Sequence, residues 1–176
     1  MTKGKKIGLF IAAALVGTLA YVGLRFGKDA RALYNSGIID LSKEEKKAYV
    51  GSSEDNLKAI QVALLLYHDS EGAFPPADRW MDAILNRLDS GDLKKGEAEK
   101  KLRNPLLGGE SYGYALNKAF AEQYKEDVKD WQKIPLVFDS EVTTRNASGD
   151  PETDSPKTPR QGGNLAITVE GILIKN

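Results

Sequence analysis

The only histidine of the chain, His68, stands directly before a carboxylate, Asp69. An imidazole beside an acid is the smallest pairing of a general base with the group that orients it. The sequence implies no serine or cysteine nucleophile for that pair to activate. His68 also closes a helical pattern, where the negative end of the helix dipole favours a cation, and this is the reading adopted for it. One histidine and no cysteine exclude disulfides, thiolate chemistry and zinc-thiolate sites, and leave a histidine-based metal site or triad without members. The chain is therefore read as non-catalytic, with no catalytic, cofactor-binding or resident metal residue.

A second group is acidic. Asp139, Glu141, Asp150, Glu152 and Asp154 lie in and before a polar stretch, and oxygen ligands on a loop suit Ca²⁺. Their spacing matches no EF-hand, and Arg145, Lys157 and Arg160 stand among them. A solvated loop is the expectation and Ca²⁺ its alternative occupant. Trp80, Trp131, Tyr112, Tyr114 and Tyr124 have core-like spacing rather than that of a stacking platform. Gly108-Gly109 and Gly162-Gly163 precede no Lys-Ser/Thr, so they read as turns and not phosphate loops. Asn146-Ala147-Ser148 fits a glycosylation sequon.

The elements that position these groups follow from periodicity. Ser42 and Glu45 form a capping-box pattern that predicts a short helix through KEEKKAYV, inside a charged connector over residues 29–51. A second helix is predicted from Ser52 or Ser53 to about His68. Leu57, Ile60, Leu64 and Tyr67 recur at helical spacing, and Val62, Ala63, Leu65 and Leu66 widen the stripe, so burial over most of the girth is expected. The polar positions of this helix are Asp55, Asn56, Lys58, Gln61 and His68, and Gly72 stops it.

A third helix is predicted from an Asp78 cap, with Trp80, Ile84 and Leu88 on one face, and the charged stretch to Arg103 adds a turn before Asn104-Pro105. Ser111–Leu116 alternates as a strand. Asn117 caps a predicted helix through Trp131 in which Phe120, Tyr124, Val128 and Trp131 share a face. Ile134–Phe138 reads as a strand, and residues 143–163 as a loop too polar to pack. Leu165–Val169 and Ile172–Lys175 flank a two-residue Glu170-Gly171 turn, the signature of a hairpin. The fold class is α+β, with helices first and a small antiparallel sheet last.

Ahead of all this stands an uncharged apolar run, Ile7–Leu24, between Lys6 and Arg25. Its 18 residues reach about 27 Å as a helix, close to the roughly 30 Å of a bilayer core. A cleaved signal peptide competes, with Thr18 and Ala20 as its small-residue site, but the apolar stretch is longer than such segments carry. Gly4, Gly8 and Ala12, and likewise Ala13 and Gly17, have the small-residue spacing that lets helices approach closely. The expected organisation is a cytoplasmic tip and transmembrane anchor over 1–28, the connector over 29–51, and one extracytoplasmic domain over 52–176, a single-pass protein in contact with membrane lipid. None of the 25 acidic residues and five of the 25 basic ones precede position 29, so the remainder carries a formal charge of about −5. That balance offers no clustered basic footprint and argues against a nucleic-acid partner.

Four segments bring a family into view. NLKAIQVALLLYHDSEGAFPP (Asn56–Pro76), SYGYALN (Ser111–Asn117), PLVFDSE (Pro135–Glu141) and RQGGNLAITVEGILIKN (Arg160–Asn176) resemble, in order and approximate spacing, bacterial type IV pilin-like and pseudopilin-like proteins. The likeness is to prepilin-type proteins with a C-terminal globular domain of unassigned function. The resemblance implies a buried helix packed on a small antiparallel sheet and a structural role through other pilin-like subunits or components of a secretion or pilus system. It also implies calcium in a C-terminal loop, as related pseudopilins carry. The chain departs from the family at its leader. Gly8 is followed by Leu9, the fifth residue onward is Ala13, and no acidic residue precedes Asp29, so the glutamate used in subunit assembly has no counterpart. Gln161 and Glu170 stand where the closing hairpin of the family has His and Asp.

Overall fold

The computed structural model describes residues 46–175. The predicted anchor at 7–24 and the start of the Ser42–Glu45 helix lie outside these residues. Among the described residues no helix is long and apolar enough to cross a membrane. The fold is α+β, with a five-stranded sheet and helices.

Residues 46–50 are not helical, contrary to expectation. Lys47 forms a parallel bridge with Leu93, and the Tyr49 N–H donates to Glu97 Oε2 at 2.6 Å. Partners far along the chain, the backbone of Asp92 and Lys94 and the side chain of Glu97, take the groups that a helical turn would pair internally.

Helix α1 spans Ser53–Glu71. Ser52 and Asp55 close a capping box, and Gly72 ends the helix at φ 85°, a left-handed conformation that costs glycine little. Leu57, Ile60 and Leu64 are fully buried, worth about 1.5–3 kcal/mol each on area grounds. Burial covers one face and not most of the girth: Val62 and Leu66 are 52% and 50% exposed. The polar positions Asn56, Gln61 and His68 are buried in their stead. Each of the three finds a partner, as burial of a polar group requires. Asn56 Nδ2 donates to the Arg103 carbonyl at 2.8 Å, Gln61 Nε2 to the Val169 carbonyl at 2.7 Å, and His68 Nε2 accepts from Lys125 N–H at 3.3 Å.

Helix α2 is shorter than predicted, Trp80–Ile84, and continues as a 3₁₀ turn, Leu85–Arg87. Asp78 does not cap it; the Asn146 side chain reaches across to accept from Met81 N–H at 2.8 Å. Trp80, Ile84 and Leu88 are buried as the periodicity predicts. The charged stretch supplies a 3₁₀ segment, Glu97–Leu102.

The sheet order is β3-β1-β2-β4-β5. Strands β1 (Tyr114–Asn117), β2 (Pro135–Asp139), β4 (Leu165–Thr168) and β5 (Leu173–Lys175) pair antiparallel. The short β3 (Ser148–Gly149) adds a parallel edge to β1. Leu116, Val137, Ile167 and Leu173 align across four strands and meet the core beneath α1. One position back in β1, Ala115, Phe138, Ala166 and Ile174 make a second apolar row, which packs with Ala147 as a separate cluster. The closing hairpin forms as expected, but three residues rather than two make its turn. The Thr168 N–H donates to the Ile172 carbonyl at 3.0 Å and Gly171 supplies φ 79°.

Two predictions fail in the second half. Residues 118–131 do not form one helix; Asn117 caps only a 3₁₀ turn, Lys118–Phe120, and a second turn spans Lys125–Asp127. The Gln123 carbonyl accepts from Phe74 N–H, and Lys125 N–H is held by His68, so tertiary partners claim groups a helix would use. Glu122 and Asp130 sit at φ 58° and 54°, outside helical space. Of the expected shared face, Phe120 and Val128 are buried, Trp131 is half-buried and Tyr124 is 54% exposed. The loop at 143–163 is mostly solvent-facing, with Ala147 and Gly149 buried, but it is anchored to the domain. It holds β3 and a short helix α3 (Pro151–Asp154), and the Ala147 carbonyl accepts from both Trp80 Nε1 at 2.8 Å and Leu116 N–H at 3.0 Å.

Candidate functional site

Three arrangements bring polar or unpartnered side chains together. The first is buried. Asp139 ends β2, where strand alternation points it to the α1 side of the sheet with Val137. Arg160 Nη1 stands 2.9 Å from Asp139 Oδ1, Asn104 Nδ2 donates to the same oxygen at 2.8 Å, and Leu165 N–H donates to Oδ2 at 2.8 Å. The guanidinium also donates to the carbonyls of Gly113 and Ser140. Burial pushes the Asp139 carboxyl up from its ordinary range, against the lowering effect of the Leu165 amide, Arg160 and Asn104. The arrangement ties β2, β4 and the 156–164 segment together.

The second is an ion cluster on the surface. Arg145 Nε donates to Asp82 Oδ1 at 2.7 Å, and Nη1 donates to Glu99 Oε1 at 2.6 Å and to the Tyr112 hydroxyl at 2.8 Å. The Tyr112 ring lies 5.4 Å from the Arg145 guanidinium and 5.5 Å from that of Arg103. A hydrogen bond from Asn146, then the charge of Arg145, hold Asp82 below the usual carboxylate range despite partial burial. The Tyr112 hydroxyl, then Arg145 and Arg103, do the same for Glu99. An open groove of about 520 Å³ beside this cluster is lined by Asp82, Asp89 and Glu99. Another, of about 390 Å³, runs between Tyr49 and the Lys100–Gly109 stretch.

The third is apolar: Val62 and Leu66 on the outer side of α1, one helical turn apart. Among the described residues nothing packs over this stripe closely enough to remove it from water.

The residues singled out by type are dispersed. His68 joins α1 to the 118–131 segment; its ring lies 4.9 Å from that of Phe74, and its Nδ1 is 3.5 Å from Asp69. Through Nε2 the ring takes the Lys125 N–H, so it ties the end of α1 to the 118–131 segment. Four of the five loop carboxylates are engaged within the domain. Asp139 is in the buried network, Glu141 accepts from Lys157 N–H, Asp150 caps α3 at Glu152 N–H, and Asp154 accepts from Asp150 N–H. Among the described residues no three histidine, cysteine or acidic side chains gather to hold a metal ion. Asn146 of the sequon is committed on both sides of its amide, to Met81 and Asp82. Trp80 and Tyr114 are core, Tyr114 donating or accepting at Ser53 Oγ, 2.8 Å away, and burial pushes its hydroxyl up. Tyr112 belongs to the ion cluster and not to the core interior.

Arg145, Arg160 and Asn104 organise the polar networks, and residue type alone did not single them out for that role. For Arg145 and Arg160 the signal in the sequence is their place, with Lys157, among the carboxylates of that stretch, and Asn104 carries none. No family model, curated protein or solved structure matches the chain.

Proposed function

We propose that this chain is a membrane-tethered, non-catalytic contact protein, pilin-like in the arrangement of its extracytoplasmic domain, which acts by assembling with other protein subunits. The observation that carries the reading is the pairing of an 18-residue apolar run bounded by Lys6 and Arg25 with a folded domain whose principal helix keeps Val62 and Leu66 in water. The run is long enough to hold the chain in a bilayer, and an exposed apolar stripe on a rigid helix is a surface for contact. The pilin-like part of the reading is supported by four matching segments between Asn56 and Asn176 and by a capped helix over a mainly antiparallel sheet closed by a hairpin. The carboxylates and arginines of the two ion networks engage one another, so the reading assigns no metal or substrate to them.

Fractionation of cells expressing the full chain, followed by alkaline carbonate extraction of the membranes, tests the tether. The chain is expected to stay in the pellet and to need detergent for release. Recovery in the cytosolic fraction would remove the reading. Titration of the detergent-purified chain with Ca²⁺ addresses the calcium-binding alternative, for which a flat calorimetric trace is expected.

A further inference from the structure

Helix α1 has apolar residues for two faces, and the domain uses one. On the outer face Ala59, Val62 and Leu66 follow the three- and four-residue steps of a helix-pairing seam, continued at either end by Asp55 and Asp69. Ala59 is half-buried, whereas Val62 and Leu66 are about half exposed. We propose that this seam joins two copies of the chain, α1 of one packing antiparallel on α1 of the other about a two-fold axis between Val62 and Leu66. The proposal rests on the reading that the protein acts by assembly and names the contact.

Charge selects a second copy and the antiparallel direction. Lys58 is exposed near the N-terminal end of the seam and makes no ion pair with the described residues, while the Asp69 side chain, near the C-terminal end, is 72% exposed. Antiparallel pairing about the Val62–Leu66 midpoint brings Lys58 of each copy to Asp69 of the other, twice by symmetry. Parallel pairing would set Lys58 against Lys58 and Asp69 against Asp69. Asp55, one turn before Lys58, also feels its charge, but the Asp55 carboxylate is held in the capping box with Ser52. The acidic residues bounding the seam also disfavour an anionic lipid surface as its occupant. A single helix pair buries less than the roughly 1,200 Å² of a stable free-standing interface. Confinement of both copies to one membrane raises their effective concentration and makes a small seam sufficient.

The absence of native cysteine makes the test free of background. Full-length Val62→Cys and Leu66→Cys chains, carrying different tags, are co-expressed, and their membranes are treated with copper phenanthroline. A mixed 62–66 disulfide dimer is expected at about tenfold the yield of an Ile172→Cys pair, whose exposed site lies off the helix. Lys58→Glu in both chains should lower that yield, and Asp69→Lys added to Lys58→Glu should restore it. The proposal is overturned by a yield equal to the Ile172 control, by preferential 62–62 and 66–66 products, by adducts with a protein of another mass, or by indifference to the charge reversals. The substituted side chains are solvent-facing, so loss of folding does not enter the comparison. Cross-linking in a chain recovered from the cytosol would remove the tether and keep the pairing. A membrane-bound chain without cross-links would do the reverse.

Discussion

Arg160 Nη1 lies 2.9 Å from Asp139 Oδ1, in a pocket where the Asp139 side chain has no exposure and that of Arg160 has 10%. One residue comes from the end of a strand and the other from a loop 21 positions later, and together they close the seam between them.

Removing one partner leaves the other charged and buried, which typically costs about 3–5 kcal/mol. Arg160→Met is expected to lower stability to urea by an amount in that range. Asp139→Asn should cost less, because an amide oxygen still accepts from Leu165 N–H. The midpoint and slope of urea unfolding, followed by circular dichroism, check both. Equal and small losses would mean the pair has little net effect.

The Arg145 cluster predicts acid sensitivity. Asp82 and Glu99 have folded values below their unfolded ones, so their stabilising contribution is present above the ordinary carboxylate range and is lost as pH falls through the depressed values. Stability should therefore decline on acidification below about pH 4. Arg145→Met should lower stability at neutral pH by about 1–2 kcal/mol and flatten that decline, because the carboxylates then have less to lose. Thermal unfolding as a function of pH, with and without the substitution, is the measurement. Parallel profiles would exclude the mechanism.

Gly113 is held at φ 69°, and a β-carbon there would overlap Leu107 and press on Asn104 and Arg160. Gly113→Ala thus combines backbone strain with displacement of the residues around the buried pair. A loss of about 2–3 kcal/mol is expected, read as a fall in unfolding midpoint. Gly91→Ala, where a β-carbon meets open space at φ 79°, isolates the backbone part and should cost less.

Trp80 is fully buried and donates to the Ala147 carbonyl, whereas Trp131 is half-buried. Trp80→Phe should cost about 1–3 kcal/mol through the lost donor and the volume change. Trp131→Phe should leave blue-shifted emission from Trp80 alone. Fluorescence of the two single-tryptophan proteins distinguishes the environments.

Local chemistry was legible wherever the interacting groups are neighbours in sequence. The start of α1 at Ser52 or Ser53, the Gly72 stop, the strand at Ile134–Phe138 and the positive φ at Gly171 each depend on contacts within a few residues, so the string of residue types suffices. The α+β class follows from those elements. Periodicity also established that α1 is rich in apolar residues, but not which sector of its circumference faces the sheet.

That choice needed the partners. Asn56, Gln61 and His68 go inward because Arg103, Val169 and Lys125 present backbone groups to them, and Val62 and Leu66 go outward as the geometric consequence. The same physics undid the expected helix at 118–131 and anchored part of the expected free loop at 143–163. In both, backbone donors or acceptors are claimed by groups dozens of residues away, and such bonds leave no trace in local spacing. The meeting of Asp139 with Arg160 is of this kind. The sequence by itself determined the presence of an acid and an arginine and of a helix with more apolar surface than one face requires. The tertiary structure decided that the charges bury each other and that the surplus apolar surface stays in water, because burial is a property of the whole packed domain and of no segment within it.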